Sequence, residues 1–327
     1  MFAYRRHALL IPLALAIALT LTVLVACGGG DDDEEETATP VATEEEEPEE
    51  TDGAEEGSVL VNESFWHAGW KVTLGEATFT PGDFGSAEVT IEAEFENLGE
   101  DQATFDSELL LTSGGNDYPD EASAGHDFPL VPGLRTGEGS LAFRVDDEFS
   151  LDDATLTIGN PANNQAVVPV GPDGEDLVSL EPREIAAAGT ATAGAVTLTV
   201  ERAELRADLP DRHSETEDGS LALAVYFSAT PQTGIQVGQG VLQSEHVILE
   251  LPNGTTVAVI SDGVSGVNEL LQGKEGTTIP DLSVRYEVPE DAAGTYALVL
   301  RGKYGPGGAD VEGKLEFTIA ESPASPT

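Results

Sequence analysis

Cysteine is all but absent: Cys27 is the single one in 327 residues. No disulfide can form within such a chain, so whatever folds must hold together through its own cores. Thiolate catalysis, thiolate zinc sites and iron–sulfur chemistry are excluded from the body of the protein by the same absence. Basic side chains are scarce too, with 14 Lys and Arg against 61 Asp and Glu and a formal net charge of −47. Like charge repels nucleic acid and anionic headgroups, which leaves cations, basic proteins and basic peptides as the charged partners. Solubility or life at high salt is a sufficient reason for the acidity itself. Helical periodicity is also missing, and Val264–Gln272 is the best candidate for even a short helix.

The N-terminus carries what apolar sequence there is in one run. Arg5 and Arg6 precede nineteen uncharged residues, Ala8–Ala26, then Cys27 and Gly28-Gly29-Gly30. Leu24-Val25-Ala26-Cys27 resembles the lipobox of bacterial lipoproteins. The resemblance implies export, cleavage between Ala26 and Cys27, and a diacylglyceryl-modified Cys27 at the new N-terminus. Residues 1–26 are then a signal peptide, and the chain is expected at the cell membrane, lipid-anchored and facing the extracytoplasmic side. An uncleaved transmembrane helix and an ordinary secretory signal are the alternatives, and both also place residues 28–327 outside the cytoplasm.

Residues 27–57 read as the lipidated cysteine and a disordered acidic linker. Fifteen acids and no Lys or Arg lie between Asp31 and Glu56, and Pro40 and Pro48 discourage helix. Without that stretch and the two signal arginines, 46 acids still face 12 bases, a balance of −34. From Ser58 the texture becomes short alternating segments broken by Gly, Pro, Asn and Asp. Lys71–Phe79 and Glu88–Phe95 alternate apolar residues with polar or acidic ones, the period of a strand with one wet face. Leu141–Val145, Ala154–Ile158 and Ala166–Val170 read as further strands, and Gly114-Gly115-Asn116 reads as a hairpin turn. The order returns about 140 residues later: Glu108–Pro119 is echoed by His246–Val257, and Ser140–Phe149 by Asp281–Glu290, with Arg144 falling on Arg285. This internal duplication predicts an all-β chain of two tandem immunoglobulin-like antiparallel β-sandwiches. They span 58–173 and 188–320, with a linker at 174–187 and a disordered tail at 321–327.

The blocks Gly69–Ala77, Val89–Asn97 and Leu109–Tyr118 are similar to a family of Ig-like domains of unknown function in bacterial lipoproteins. Those domains resemble the secreted mycobacterial immunoprotective antigen. The resemblance covers most of the first repeat and, more faintly, the second, which departs from it by a longer loop at Asp208–Gly219. It implies an extracytoplasmic binding or spacer module with no catalytic residues to carry over.

Chemistry-bearing constellations are sparse. The five histidines, at 7, 67, 126, 213 and 246, lack HExxH spacing and are expected to be ordinary surface residues. No Gly-x-Ser-x-Gly elbow stands between a strand and a helix, and no Gly-rich phosphate loop precedes one. Three acidic loops could offer oxygens to a hard cation: Asn116–Glu121, Asp146–Asp153 and Asp208–Gly219. The last, with Asp208, Asp211, Glu215, Glu217 and Asp218, is the leading candidate. Trp66 and Trp70 are candidate ligand contacts, an exposed aromatic platform for sugar or peptide. The competing reading sends Trp70 into the core with Trp66 capping it. The function these observations predict is a non-catalytic, lipid-anchored binding or spacer protein without cofactor. Its partners would be the membrane through the anchor and an extracytoplasmic protein or envelope ligand. The alternative is a calcium- or glycan-binding adhesion or sensor lipoprotein.

Overall fold

A computed structural model describes residues 56–121, 125–233, 235, 240–260, 267–291 and 293–320. Ala26, Cys27, the acidic linker up to residue 55 and the 321–327 tail lie outside the described residues. The first half contains β1 (Gly57–Leu60), β2 (Ser64–His67), β3 (Trp70–Pro81), β4 (Ser86–Asn97), β5 (Ala103–Thr104) and β6 (Leu109–Ser113). It continues with β7 (Asn116–Pro119), β8 (Leu130–Val131), β9 (Thr136–Asp146), β10 (Thr155–Ile158) and β11 (Ala166–Pro169). The second half opens with β12 (Arg183–Ile185), β13 (Gly189–Ala193), β14 (Val196–Arg206), β15 (Asp208–Leu209), β16 (Ser214–Glu215) and β17 (Ser220–Pro231). It ends with β18 (Val241–Gln243), β19 (Val247–Glu250), β20 (Thr256–Val257), β21 (Asn268–Leu270), β22 (Ile279–Pro289), β23 (Gly294–Gly302) and β24 (Val311–Ile319). The described chain is all-β, and its helical content is confined to 3-10 turns of three residues.

The same strand order is built twice. One sheet of the first half runs β1-β3-β4-β9 with β2 also on β3, and the other runs β11-β10-β6-β7. The second half repeats this as β12-β14-β17-β22 with β13 also on β14, and as β24-β23-β19-β20. One bulge corresponds as well: the register slips between Leu74 and Ala77 where β3 meets β4, and between Val200 and Arg202 where β14 meets β17. Each strand is antiparallel to its neighbours, and period-2 alternation fixes the register, because a one-residue slip would turn every apolar side chain to water. In β4, Val89, Ile91 and Phe95 point inward while Glu88, Glu92 and Glu94 point outward. The β6–β7 hairpin turns through Gly114 and Gly115, with φ of 60° and 81°, the pair of positive values that a two-residue hairpin loop needs.

Each half has its own core. Trp70, Phe95, Phe105, Leu111, Phe143 and Leu156 centre the first, and Leu198, Phe227, Leu249, Val284, Tyr286 and Leu298 the second. Trp70 meets Phe95 edge to face at 6.4 Å and Phe105 at 6.1 Å. Tyr286, wholly buried, donates its hydroxyl to the Val247 carbonyl at 3.1 Å and so ties β22 to β19 across the second core. Burial pushes its phenol well above the ordinary range.

One sequence expectation is corrected. The described part of Val264–Gln272 contains strand β21, not a helix. Asn268–Leu270 pairs with Val241–Gln243, and Val267 and Leu271 are buried on either side of it. The 174–187 segment makes contacts with both halves. Val178 exchanges backbone bonds with Val167, Leu180 packs on the first core, and Ile185 and Ala187 enter the second. Leu180, Ile185 and Ala187 are thereby taken up by the cores on both sides, while Leu177 and Val178 stay exposed.

Leu111 and Leu249 hold equivalent places in the two cores, each at 0% exposure. Leu111→Ala and Leu249→Ala are each expected to lower unfolding free energy by about 2–5 kcal/mol, the cost of an unfilled core cavity, measured by urea denaturation.

Candidate functional site at the junction of the two halves

The Asp208–Gly219 loop reaches from the second half onto the end of the first. β15 and β16 pair as a short ladder, Asp208 opposite Glu215. Pro210 starts a 3-10 turn, and His213 ends it in the left-handed region at φ 46°. On the first half, the β2–β3 hairpin turns at Ala68 and Gly69, with φ of 47° and 80°. There the Gly69 N–H donates to Asp208 Oδ2 at 2.7 Å. The other oxygen, Oδ1, accepts from Arg206 Nε at 2.8 Å, with both side chains buried.

Contact is so close that side chains are excluded. A Cβ on Gly69 would lie 2.7 Å from the Pro210 carbonyl oxygen, and one on Gly99 would lie 2.8 Å from the same atom. The His213 ring covers Trp70 with centroids 5.5 Å apart, closing the end of the first core. Both ring nitrogens of His213 are buried, and no hydrogen-bond partner for them stands among the described residues.

Charge is distributed along the joint in a chain. Arg202 lies over the Tyr226 ring at 3.6 Å, Tyr226 donates to Glu204 at 2.7 Å, and Glu204 stands 3.6 Å from Arg206 Nη1. Burial opposes the charge on Arg206, but Asp208 and Glu204 outweigh it and raise its pKa. Burial and Glu204 together raise Tyr226. Asp211 pairs with buried Arg285 at 2.8 Å. Glu215 is shared by the first half: Oε1 lies 2.5 Å from His67 Nε2, and Oε2 accepts from Asn163 Nδ2 at 2.5 Å. Burial alone would raise its pKa, but the His67 contact, that ring's charge and the Asn163 bond hold the carboxyl below the usual range. Asn164 Nδ2 lies 2.7 Å from Thr216 Oγ1 and 2.8 Å from the Ser220 carbonyl, and Asp218 N–H donates to Ala162 O at 3.1 Å.

The five carboxylates proposed as a cation cage are thus divided. Asp208, Asp211 and Glu215 face three different sets of partners, while Glu217 and Asp218 are exposed. Among the described residues no three His, Cys, Asp or Glu side chains form a group that could hold a metal ion. The other two acidic loops spend acids locally: Asp146 accepts from Tyr118 at 2.8 Å, and Asp153 from Ser113 at 2.7 Å. The Ser113 and Gly114 bonds lower the Asp153 carboxyl.

The aromatic platform is also divided. Trp70 is 1% exposed and surrounded by core, so its ring has no face for a ligand, whereas half-buried Trp66 lies under Lys71 Nζ at 5.2 Å. His67 departs from the expected surface role: it is 1% exposed, packed against Gly159 of its own half and Glu215 of the other. His126 stacks on Phe128 at 4.9 Å, and His246 lies 2.7 Å from the Tyr304 hydroxyl.

Sequence reasoning missed Gly69, Gly99, Asn163, Asn164 and Arg206. The extra length of the 208–219 loop relative to the first repeat was the signal that could have found them. No protein-family model matches the chain, and no curated protein matches it.

Asp208→Ala would leave the buried Arg206 guanidinium without its counter-charge and the Gly69 N–H without its acceptor. It is expected to cost about 3–5 kcal/mol, read from urea unfolding. Asp208→Asn keeps the shape without the charge and is expected to recover part of that loss. A carboxyl with a depressed folded pKa stabilises the fold above its unfolded value, about 4.3 for Glu. That contribution is lost as pH falls through the lower folded value. Glu215→Gln should therefore flatten the loss of stability on acidification through that window, seen in urea titrations at stepped pH.

Proposed function

We propose that this chain is a lipid-anchored, non-catalytic envelope protein whose two tandem Ig-like β-sandwiches act as one binding or spacer body. The observation that carries the reading is the interlock just described. Asp208 and Glu215, two of the polar groups that first suggested a ligand site, are spent in joining one half to the other, while Asp211 is spent on Arg285 of its own half. A joint with this many buried polar contacts holds two modules in a fixed relation, which is what a spacer or presenting scaffold requires. The paired sheets of each half and the repeated strand order support the sandwich assignment.

The anchor rests on Leu24-Val25-Ala26-Cys27. Two or three acyl chains on one cysteine, at roughly 0.8 kcal/mol per buried methylene, are enough for stable attachment. Gly57 stands opposite Phe79, whereas the joint lies at Trp70, nine residues back along β3. At strand rise this separates chain entry from joint by about 30 Å.

Expression of the full chain in a bacterium fed a labelled fatty acid tests the anchor. Label is expected on the wild-type protein, which should fractionate with membranes. Cys27→Ala should lose both label and membrane association. An unlabelled wild-type chain, or a Cys27→Ala chain still held in the membrane, would overturn the reading.

A further inference from the structure

Strand β1 has one partner. Its inner edge pairs with β3, from Gly57 opposite Phe79 to Leu60 opposite Glu76, and its outer edge pairs with no strand among the described residues. That outer edge borders a concavity of about 420 Å³ between β1 and the turn after β11, lined by Val59, Leu60, Val170 and Leu177 among others. Leu60 is 73% exposed and Leu177 41% exposed, an apolar floor left to solvent in an otherwise strongly acidic chain. An unpaired edge beside exposed apolar side chains is a template for an added strand, and most proteins blunt such an edge with charge, proline or a covering loop. Neither Lys nor Pro stands in β1 itself, which reads Gly-Ser-Val-Leu.

The charges around the groove select its occupant. Glu63, Glu175 and Asp176 line it, and no Lys, Arg or His does. The protein's own linker, with fifteen acids between Asp31 and Glu56 and no base, is repelled by that rim. A second copy, itself at −47, meets the same repulsion. We infer that the outer edge of β1 docks an extended segment of a basic partner as an added strand, its apolar side chains over Leu60 and Leu177 and its Lys or Arg beside Glu63, Glu175 and Asp176. Main-chain bonds to β1 supply affinity in this mode, and alternate side chains supply the choice of partner. The edge lies at the end of the first half where the chain enters, remote from the joint, so it can be occupied without disturbing the interlock.

The inference deepens the binding-body reading above and rests on it. Its test uses the full chain in detergent and two short peptides of equal charge: an alternating Lys–Val peptide, and the same peptide with proline at its centre, which cannot complete a strand. At physiological salt the first should bind about tenfold more tightly, a gap of roughly 1.4 kcal/mol. Hydrogen exchange should slow at the outward amides of residues 57–60. Leu60→Glu and Leu177→Glu add acid, so general attraction between opposite charges would strengthen binding, whereas edge docking requires both variants to weaken it. Both positions are exposed enough that folding survives either change. Equal binding of the two peptides, tighter binding by the variants, or protection confined to other strands would overturn the proposal. Lipid labelling at Cys27 in the same preparation would show the anchored-scaffold reading to be unaffected by that failure.

Discussion

The carboxylate of Asp208 is the contact on which the assembly of the two halves depends. One oxygen accepts a backbone N–H from the hairpin that leads into β3, and the other accepts from Arg206 in its own half. A buried carboxylate or guanidinium alone would be costly to desolvate, so each requires the other. The geometry then propagates outward. To bring Asp208 to Gly69, the Pro210 turn must approach two backbone segments to within distances that no side chain permits, so Gly69 and Gly99 are constrained by the loop of the other repeat. The usual account of these glycines as turn residues holds for Gly69, whose φ is 80°, but the steric one applies to both.

This joint converts a repeat into a unit. Two modules with the same strand order would ordinarily each leave the ends of their sheets to water. The asymmetry is one insertion: the second copy carries the 208–219 excursion, and the first copy receives it. His213 closes the end of the first core over Trp70, and the Asn163-Asn164 pair supplies amide donors to Glu215 and Thr216. With no disulfide available to staple the halves, close backbone approach and charge-assisted bonds carry the connection.

Strands and repeat were legible in the sequence because period-2 alternation and paired glycines are local signals. Glu88–Phe95 could be little else than a strand with one wet face, and Gly114-Gly115 could hardly avoid being a turn. The site was not legible in the same way. A run such as Asp-Leu-Pro-Asp-Arg-His-Ser-Glu looks like a cation loop because spacing along the chain says nothing about where each carboxylate points. In the fold, β15 and β16 place Asp208 and Glu215 on a ladder, and the surroundings then separate them: Asp208 meets Gly69 and Arg206, Glu215 meets His67 and Asn163. His67 misled for the same reason: Glu215, 148 positions away, stands against its ring. Long-range partners of this kind leave no trace in a single sequence except length, and here the longer second loop was that trace.

Charge follows the same division between inside and outside. Arg206 and Arg285 are the buried arginines among the described residues, and each meets an acid of the 208–219 loop. Scarce positive charge is thereby committed to architecture, while the open sheet faces keep their acids. Glu94 even stands directly opposite Glu138 across β4 and β9, a like-charge pair that costs stability wherever nothing neutralises it. A fold that tolerates such a pair on its outer face, yet counters every carboxylate it buries at the joint, has two electrostatic regimes. At the joint, low exposure makes each pair strong and salt-insensitive; on the faces, screening weakens every charge beyond about 8–10 Å at ordinary ionic strength. Salt should therefore act on what approaches the surface far more than on the union of the halves. On the β1 docking proposal, the negative field would choose among partners at a distance, and the outer edge of β1, unpaired among the described residues and set beside exposed Leu60 and Leu177, would decide which of them can stay.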